Sequence, residues 1–146
     1  MSVKTIKFEI VTPEQVVLKE QVIRATIPTQ SGEVTILPDH ISLVSILKPG
    51  IIEIEKVDGS LDVVVVSGGF LEVFSGKIVI LADYAERAAG LDENIIENAQ
   101  VKAEQAKLQA KSIDDIDFAD TQTKLEIELF KTRALSRWRK IKSLDK

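Results

Sequence analysis

Through residues 1–90 the apolar positions alternate with polar ones or gather into short runs bounded by turn residues. In "KTIKFEIVTP", Ile6, Phe8 and Ile10 alternate with Lys7 and Glu9, the two-residue period of a half-buried strand. The runs "VVLKE", "VIRATIP", "GEVTILP", "ISLVSIL", "GIIEIEKV", "LDVVVVSGG", "FLEVFSG" and "KIVILAD" follow. Asp58-Gly59 is a hairpin signal of the type I′ kind, whose two central residues need positive φ. Many short strands with no long helix between them predict an antiparallel sandwich or flattened barrel and argue against a parallel α/β sheet.

From Leu91 onward the pattern changes. All four prolines lie at or before Pro49 and the last of seven glycines is Gly90, so the boundary between two architectures falls there. Asp92 is a suitable N-cap, and Ile96, Ala99, Ala103, Ala106 and Ala110 follow at helical spacing. "SIDDID" interrupts, and then Leu125, Leu129, Phe130, Ala134, Trp138 and Ile141 mark a second helix. Two helices with a short polar connection predict an antiparallel hairpin. Its alanine-rich face is thin, and helical stability comes mostly from tertiary packing. The hairpin is therefore expected to dock on the sandwich or on a partner, either permanently or as a switch.

The 146 residues contain no cysteine, which excludes a disulfide framework, a thiolate nucleophile and a cysteine zinc site and fits a reducing compartment. No apolar run reaches the roughly 18–20 residues of a membrane span, and the N-terminus shows no secretory signal. The net charge of −4 argues against nucleic-acid binding. Residues 91–146 carry eleven basic and eleven acidic residues, so residues 1–90 supply the whole net charge.

Candidate chemistry is sparse. His40, the single histidine, stands beside Asp39 with Glu33, Ser31, Ser42 and Ser45 near in sequence. A nucleophile, a base and an orienting group must converge, and no nucleophile elbow or second histidine is present. Ser67-Gly68-Gly69 lacks the lysine of a phosphate loop and precedes a strand, so it reads as a corner or bulge. Lys131, Arg133, Arg137, Arg139, Lys140 and Lys142 cluster around Trp138. That is either a solvated helix end or a surface for an acidic protein or phosphate.

"SGEVTILPDH", "LKPGIIEI", "VSGGFLEV" and "VILADYAERA", then an "LDE" helix start and a helical tail, resemble the ε subunits of F-type ATP synthases over essentially the whole chain. The resemblance implies a β-sandwich of about ten antiparallel strands over residues 1–90 and a regulatory antiparallel two-helix hairpin over 91–146. It implies a non-catalytic subunit of the rotor's central stalk that binds γ and the polar loops of the c-ring. It also implies a peripheral place on the cytoplasmic face of a bacterial plasma membrane rather than the stromal side of a plastid. The hairpin would fold against the sandwich or extend along γ to the α/β catalytic head, restraining ATP hydrolysis.

By that resemblance Ser31, Gly32, Glu33 and His40 belong to the c-ring contact, with Ile36 and Leu37 packing beneath and Pro38 fixing the backbone. Arg133, Arg137 and Arg139 would meet acidic residues of the catalytic head, where clustered charge orients more than it binds. No cofactor is expected. Some members bind regulatory ATP through an [IL]-D-x-x-R-A motif, an upstream glutamate and two arginines of the second helix. Leu91-Asp92, Glu86, Arg133 and Arg137 match, but Ile95 and Ile96 replace the motif's arginine and alanine. That removes a bidentate phosphate donor. The second helix is also longer than in compact members. An ATP-sensing nucleotide-binding module is the alternative reading; a small hydrolase lacks the convergent groups it needs.

Overall fold

Alternation places Ile6, Phe8 and Ile10 on one side of the first strand, and all three are buried while Lys7 points outward. The computed structural model describes residues 3–91, 101 and 115–144, with side chains of the last segment from residue 124 onward. The strands are β1 (Ile6–Val11), β2 (Val16–Thr29), β3 (Gly32–Ile36), β4 (Leu43–Ile46), β5 (Gly50–Lys56), β6 (Leu61–Phe74) and β7 (Lys77–Arg87). A 3-10 turn, Ala88–Gly90, and a helix, α1 (Asp115–Leu144), complete the described elements.

These strands form two packed layers. Layer one runs β4, the second half of β6, the first half of β7, β1 and the first half of β2. Layer two runs β3, the second half of β2, β5, the first half of β6 and the second half of β7. Between them lies the apolar core, including Phe8, Ile10, Val22, Ile54, Leu71 and Ile80. The expectation of about ten antiparallel strands is corrected in two respects. There are seven strands among the described residues, because β2, β6 and β7 each pass continuously from one layer to the other. One pairing, β1 with β7, is parallel.

Crossing between layers requires sharp bends, and Gly68-Gly69 supplies one inside β6. Gly69 has φ +112°, and a Cβ there would run into the carbonyl oxygen of Leu81. Glycine alone fits this close approach of two backbones. The β5–β6 hairpin is present where Asp58-Gly59 predicts it, but only Gly59 has positive φ. The turn is thus not type I′. Asp58 accepts hydrogen bonds from the Ser60 backbone N–H and hydroxyl instead, an Asx-type arrangement that shapes a longer loop.

Helix α1 begins where "SIDDID" predicts and spans 30 residues, about 45 Å at 1.5 Å per residue. It lies on the outer face of layer two, where Ala134 is fully buried with Val63, Val65 and Ala88. Phe130, Trp138 and Ile141 pack around them. This explains the run Val63–Val66: Val64 and Val66 enter the sandwich core, and Val63 and Val65 lie beneath the helix. Apart from Val101, which is helical and exposed, the predicted first helix of the hairpin, with its alanine stripe and Asp92 cap, lies outside the described residues.

Candidate functional site

The docked helix carries polar groups along both of its flanks. On one flank Lys131 Nζ stands 3.5 Å from Glu86 Oε2 and 3.2 Å from Glu128 Oε1. It also sits 5.2 Å from the centre of the Tyr84 ring. Tyr84 and Glu86 come from β7 and occupy the helix-facing side because they pair with Ser67 and Val65. The Tyr84 hydroxyl donates to the Glu86 carboxylate. Burial, then this carboxylate, pushes the Tyr84 phenol up to about 12. Burial alone would lower the Lys131 ammonium's pKa, but Tyr84 and Glu128 outweigh it and raise the value.

Along the other flank a groove opens between the helix and the sandwich. Arg133, Arg137 and Lys140 line the helix side, and Gln30, Glu33 and Lys48 line the strand side. Arg137 reaches across to Glu53 at 3.4 Å. Arg133 lies 5.8 Å from the Phe130 ring, and Arg139 is exposed. Of the four matching nucleotide positions, Glu86 is engaged by Tyr84 and Lys131 on the flank opposite the arginines, and Asp92 lies outside the described residues. The tryptophan expected as an outward contact surface is half-buried on the sandwich, with Lys142 Nζ 4.1 Å from its ring centre.

The turn Gln30-Ser31 joins β2 to β3, and Ser31, Gly32 and Glu33 are all exposed. Thr29 Oγ1 donates to the Gly32 carbonyl at 2.6 Å and ties the turn down. His40 lies past the far end of β3, roughly 13 Å of strand away, so the structure does not bring it together with Ser31–Glu33. There a β-turn closes with the His40 N–H bonded to the Leu37 carbonyl at 3.2 Å. Pro38 sets its first central residue, and Asp39 takes φ +67° at its second, the pattern of a type II turn. Asp39 pairs with Lys4 at 2.7 Å, and His40 Nδ1 meets the Ile41 carbonyl at 2.6 Å. Ile36 packs in the core as expected, but Leu37 is 53% exposed rather than packed. Its backbone has already left the strand and entered the turn.

Sequence reasoning missed a second surface. The outer face of layer one exposes Val44, Ile46, Phe70, Phe74 and Leu81. Register makes this one patch: Ile46 lies opposite Phe70, and Phe70 opposite Leu81. The signal was available in β6, where Phe70 and Phe74, on either side of Glu72, alternate with Leu71 and Val73, so large apolar residues occur on both faces of the strand. A strand apolar on both faces needs cover on both. The first half of β6 receives it from α1; the second half is bare among the described residues.

Among the described residues no cluster of three or more His, Asp or Glu side chains suits a metal. None of the described helices is long and apolar enough to cross a membrane. What the fold defines is a β-sandwich with a helix packed on the outer face of one layer and large apolar side chains exposed on the outer face of the other.

Comparison with known proteins gives this class its family. Residues 5–88 match the family described as ATP synthase, Delta/Epsilon chain, beta-sandwich domain. An ATP synthase epsilon chain of Delftia acidovorans is 36% identical over 135 residues, 92% of this chain and 96% of that one. One of Dichelobacter nodosus is 45% identical over 95 residues, 65% of this chain and 66% of that one. A chain in the cryo-EM structure of the Euglena gracilis mitochondrial ATP synthase, comprising OSCP, F1 and c-ring, superposes with a TM-score of 0.75 at 28% identity. That match covers 92% of this chain and 83% of the other. The chain belongs to the epsilon-subunit family of the F-type ATP synthase.

Proposed function

We propose that this chain is a non-catalytic subunit of the central stalk, coupling the catalytic head to the c-ring and restraining ATP hydrolysis through its C-terminal helix. The observation that carries the reading is the two-sided apolar character of β6, with one half under α1 and the other half open. The open face, centred on Phe70 and Phe74, is the surface for γ. Two exposed aromatics on a rigid sheet supply anchors of the kind that dominate protein interfaces. The turn Ser31-Gly32-Glu33 is the contact for the polar loops of the c-ring; His40, at the other end of β3, belongs to the region leading into β4. Membrane association is then peripheral, through the complex, on the cytoplasmic face of a bacterial plasma membrane.

In the docked state Arg137 is directed to Glu53. Released with the helix, Arg133, Arg137 and Arg139 become available to acidic residues of the α/β head. A nucleotide in the docked hairpin is the second reading, and the groove lined by Arg133, Arg137 and Lys140 favours it. Engagement of Glu86 by Lys131 opposes it.

The test is ATP hydrolysis by a head-plus-γ complex lacking this subunit, with the full chain or a chain ending at Gly90 added. The reading expects inhibition by the full chain and binding without inhibition by the shortened one. Failure of both to bind would overturn it.

A further inference from the structure

Helix α1 rests on the sandwich through an apolar contact with charged groups on either side. Its buried apolar side chains are Ala134 and Leu135, and Phe130, Trp138 and Ile141 are only partly covered. On the Lys131 flank the contact is ionic. The lysine side chain is 17% exposed and the Glu128 side chain 15%, so these charges are largely withdrawn from water. Each needs its partners, since removing one member of such a set leaves the others buried and uncompensated.

We infer that Lys131, Glu86 and Tyr84 form an intramolecular latch that holds the C-terminal helix on the sandwich. The parts divide across the interface. Glu86 and Tyr84 sit on β7, which belongs to the rigid sandwich; Lys131 travels with the helix, and Glu128, one turn earlier, orients it through the 3.2 Å contact. The Tyr84 hydroxyl fixes the carboxylate of Glu86 from the strand side. Below pH 10 the phenol keeps its proton and remains a donor, so the acceptor geometry of Glu86 is constant through the physiological range. The latch occupies Glu86, the strand-borne carboxylate that a regulatory ligand at the hairpin would otherwise engage.

An unlatched helix keeps the apolar contact and the solvent-exposed Arg137–Glu53 pair and spends more time released. The latch itself depends only on the docked structure; its effect on hydrolysis rests on the function proposed above. The test is hydrogen exchange on the isolated full-length chain, reading the amides of α1 and of β1 separately. Lys131→Met should raise α1 exchange on the order of tenfold, the loss of a charge-assisted contact, and leave β1 unchanged. Lys124→Met removes the same charge from an exposed site of the same helix and should do neither. In a double-mutant cycle, Glu86→Gln added to Lys131→Met should cause little further increase. Equal α1 exchange in the Lys131→Met and Lys124→Met variants, or a double mutant whose effect is the product of the two single effects, would overturn the latch. Inhibition of the head-plus-γ complex is then read with the same variants. If Lys131→Met releases the helix and inhibits more strongly, latch and regulation both stand. If it releases the helix without changing inhibition, the latch stands and the regulatory reading falls.

Discussion

Arg87 Nη2 donates to Asp62 Oδ2 at 2.6 Å, joining the first residues of β6 to the last of β7. Asp62 is buried and its other oxygen accepts the Val63 N–H at 2.9 Å. Lys56 Nζ, 3.7 Å from Asp62 and 3.2 Å from Glu20, completes a polar cluster at this end of the sandwich. Asp62→Ala leaves Arg87 without its carboxylate and should destabilise the protein by about 3 kcal/mol. Chemical denaturation checks this, and a change under 1 kcal/mol would show that the pair is incidental.

Gly69 is irreplaceable on different grounds. Its φ of +112° and the adjacent Leu81 carbonyl leave no room for a side chain. Gly69→Ala should cost about 3 kcal/mol through backbone strain and forced separation of β6 from β7. The same measurement on Gly90→Ala, where a Cβ would meet nothing within 4 Å, should show a far smaller effect. Equal losses would contradict the crossing-strand account.

The exposed aromatics should separate stability from binding. Phe70 and Phe74 are 54% and 63% exposed, so Phe70→Ser with Phe74→Ser should leave unfolding within about 0.5 kcal/mol per site. Binding to γ should weaken by at least about thirtyfold, the loss of one interface anchor of ~2 kcal/mol. A titration of γ with wild type and variant reads both. Undiminished affinity would remove this face from the γ contact.

The phenol of Tyr84 should titrate late. The chain has one tyrosine, so phenolate absorbance reports it alone, and its midpoint should fall near 12 rather than 10. The folded value is raised, so the stabilisation is complete below pH 10 and is lost as pH rises from 10 to 12. Release of α1, followed by the emission of the single tryptophan Trp138, should therefore occur in that window. A midpoint at 10 would mean that the ring is not held against Glu86.

Much of this architecture was legible in the residues. Alternation at Ile6, Phe8 and Ile10 gave β1 and its inward face, and "SIDDID" gave the start of α1. Strand number was less accessible. A bend at Gly68-Gly69 breaks the pattern of a strand without ending it, so β6 reads as two segments. The basic cluster from Lys131 to Lys142 is visible in the sequence, but its contacts are not. The site was illegible where residues distant in sequence meet. Only the pairing of β7 with β6 places Glu86 beneath Lys131, and only the sheet register makes Val44, Ile46, Phe70 and Leu81 one surface. His40 and Glu33 are near in sequence but lie at opposite ends of the extended strand β3, a separation that appears only once the strand is placed.

Movement of α1 is the claim on which the account turns, and the absence of cysteine makes it directly measurable. Gln30 and Ser136 line opposite sides of the groove and both are exposed. Cysteines introduced there carry a pair of spin labels, and their separation is read in the isolated chain and in the assembled complex while hydrolysis is restrained. The account predicts a short separation in the isolated chain and a long one in the inhibited complex. A short separation in the inhibited complex would contradict it, because restraint would then occur with the helix still on the sandwich.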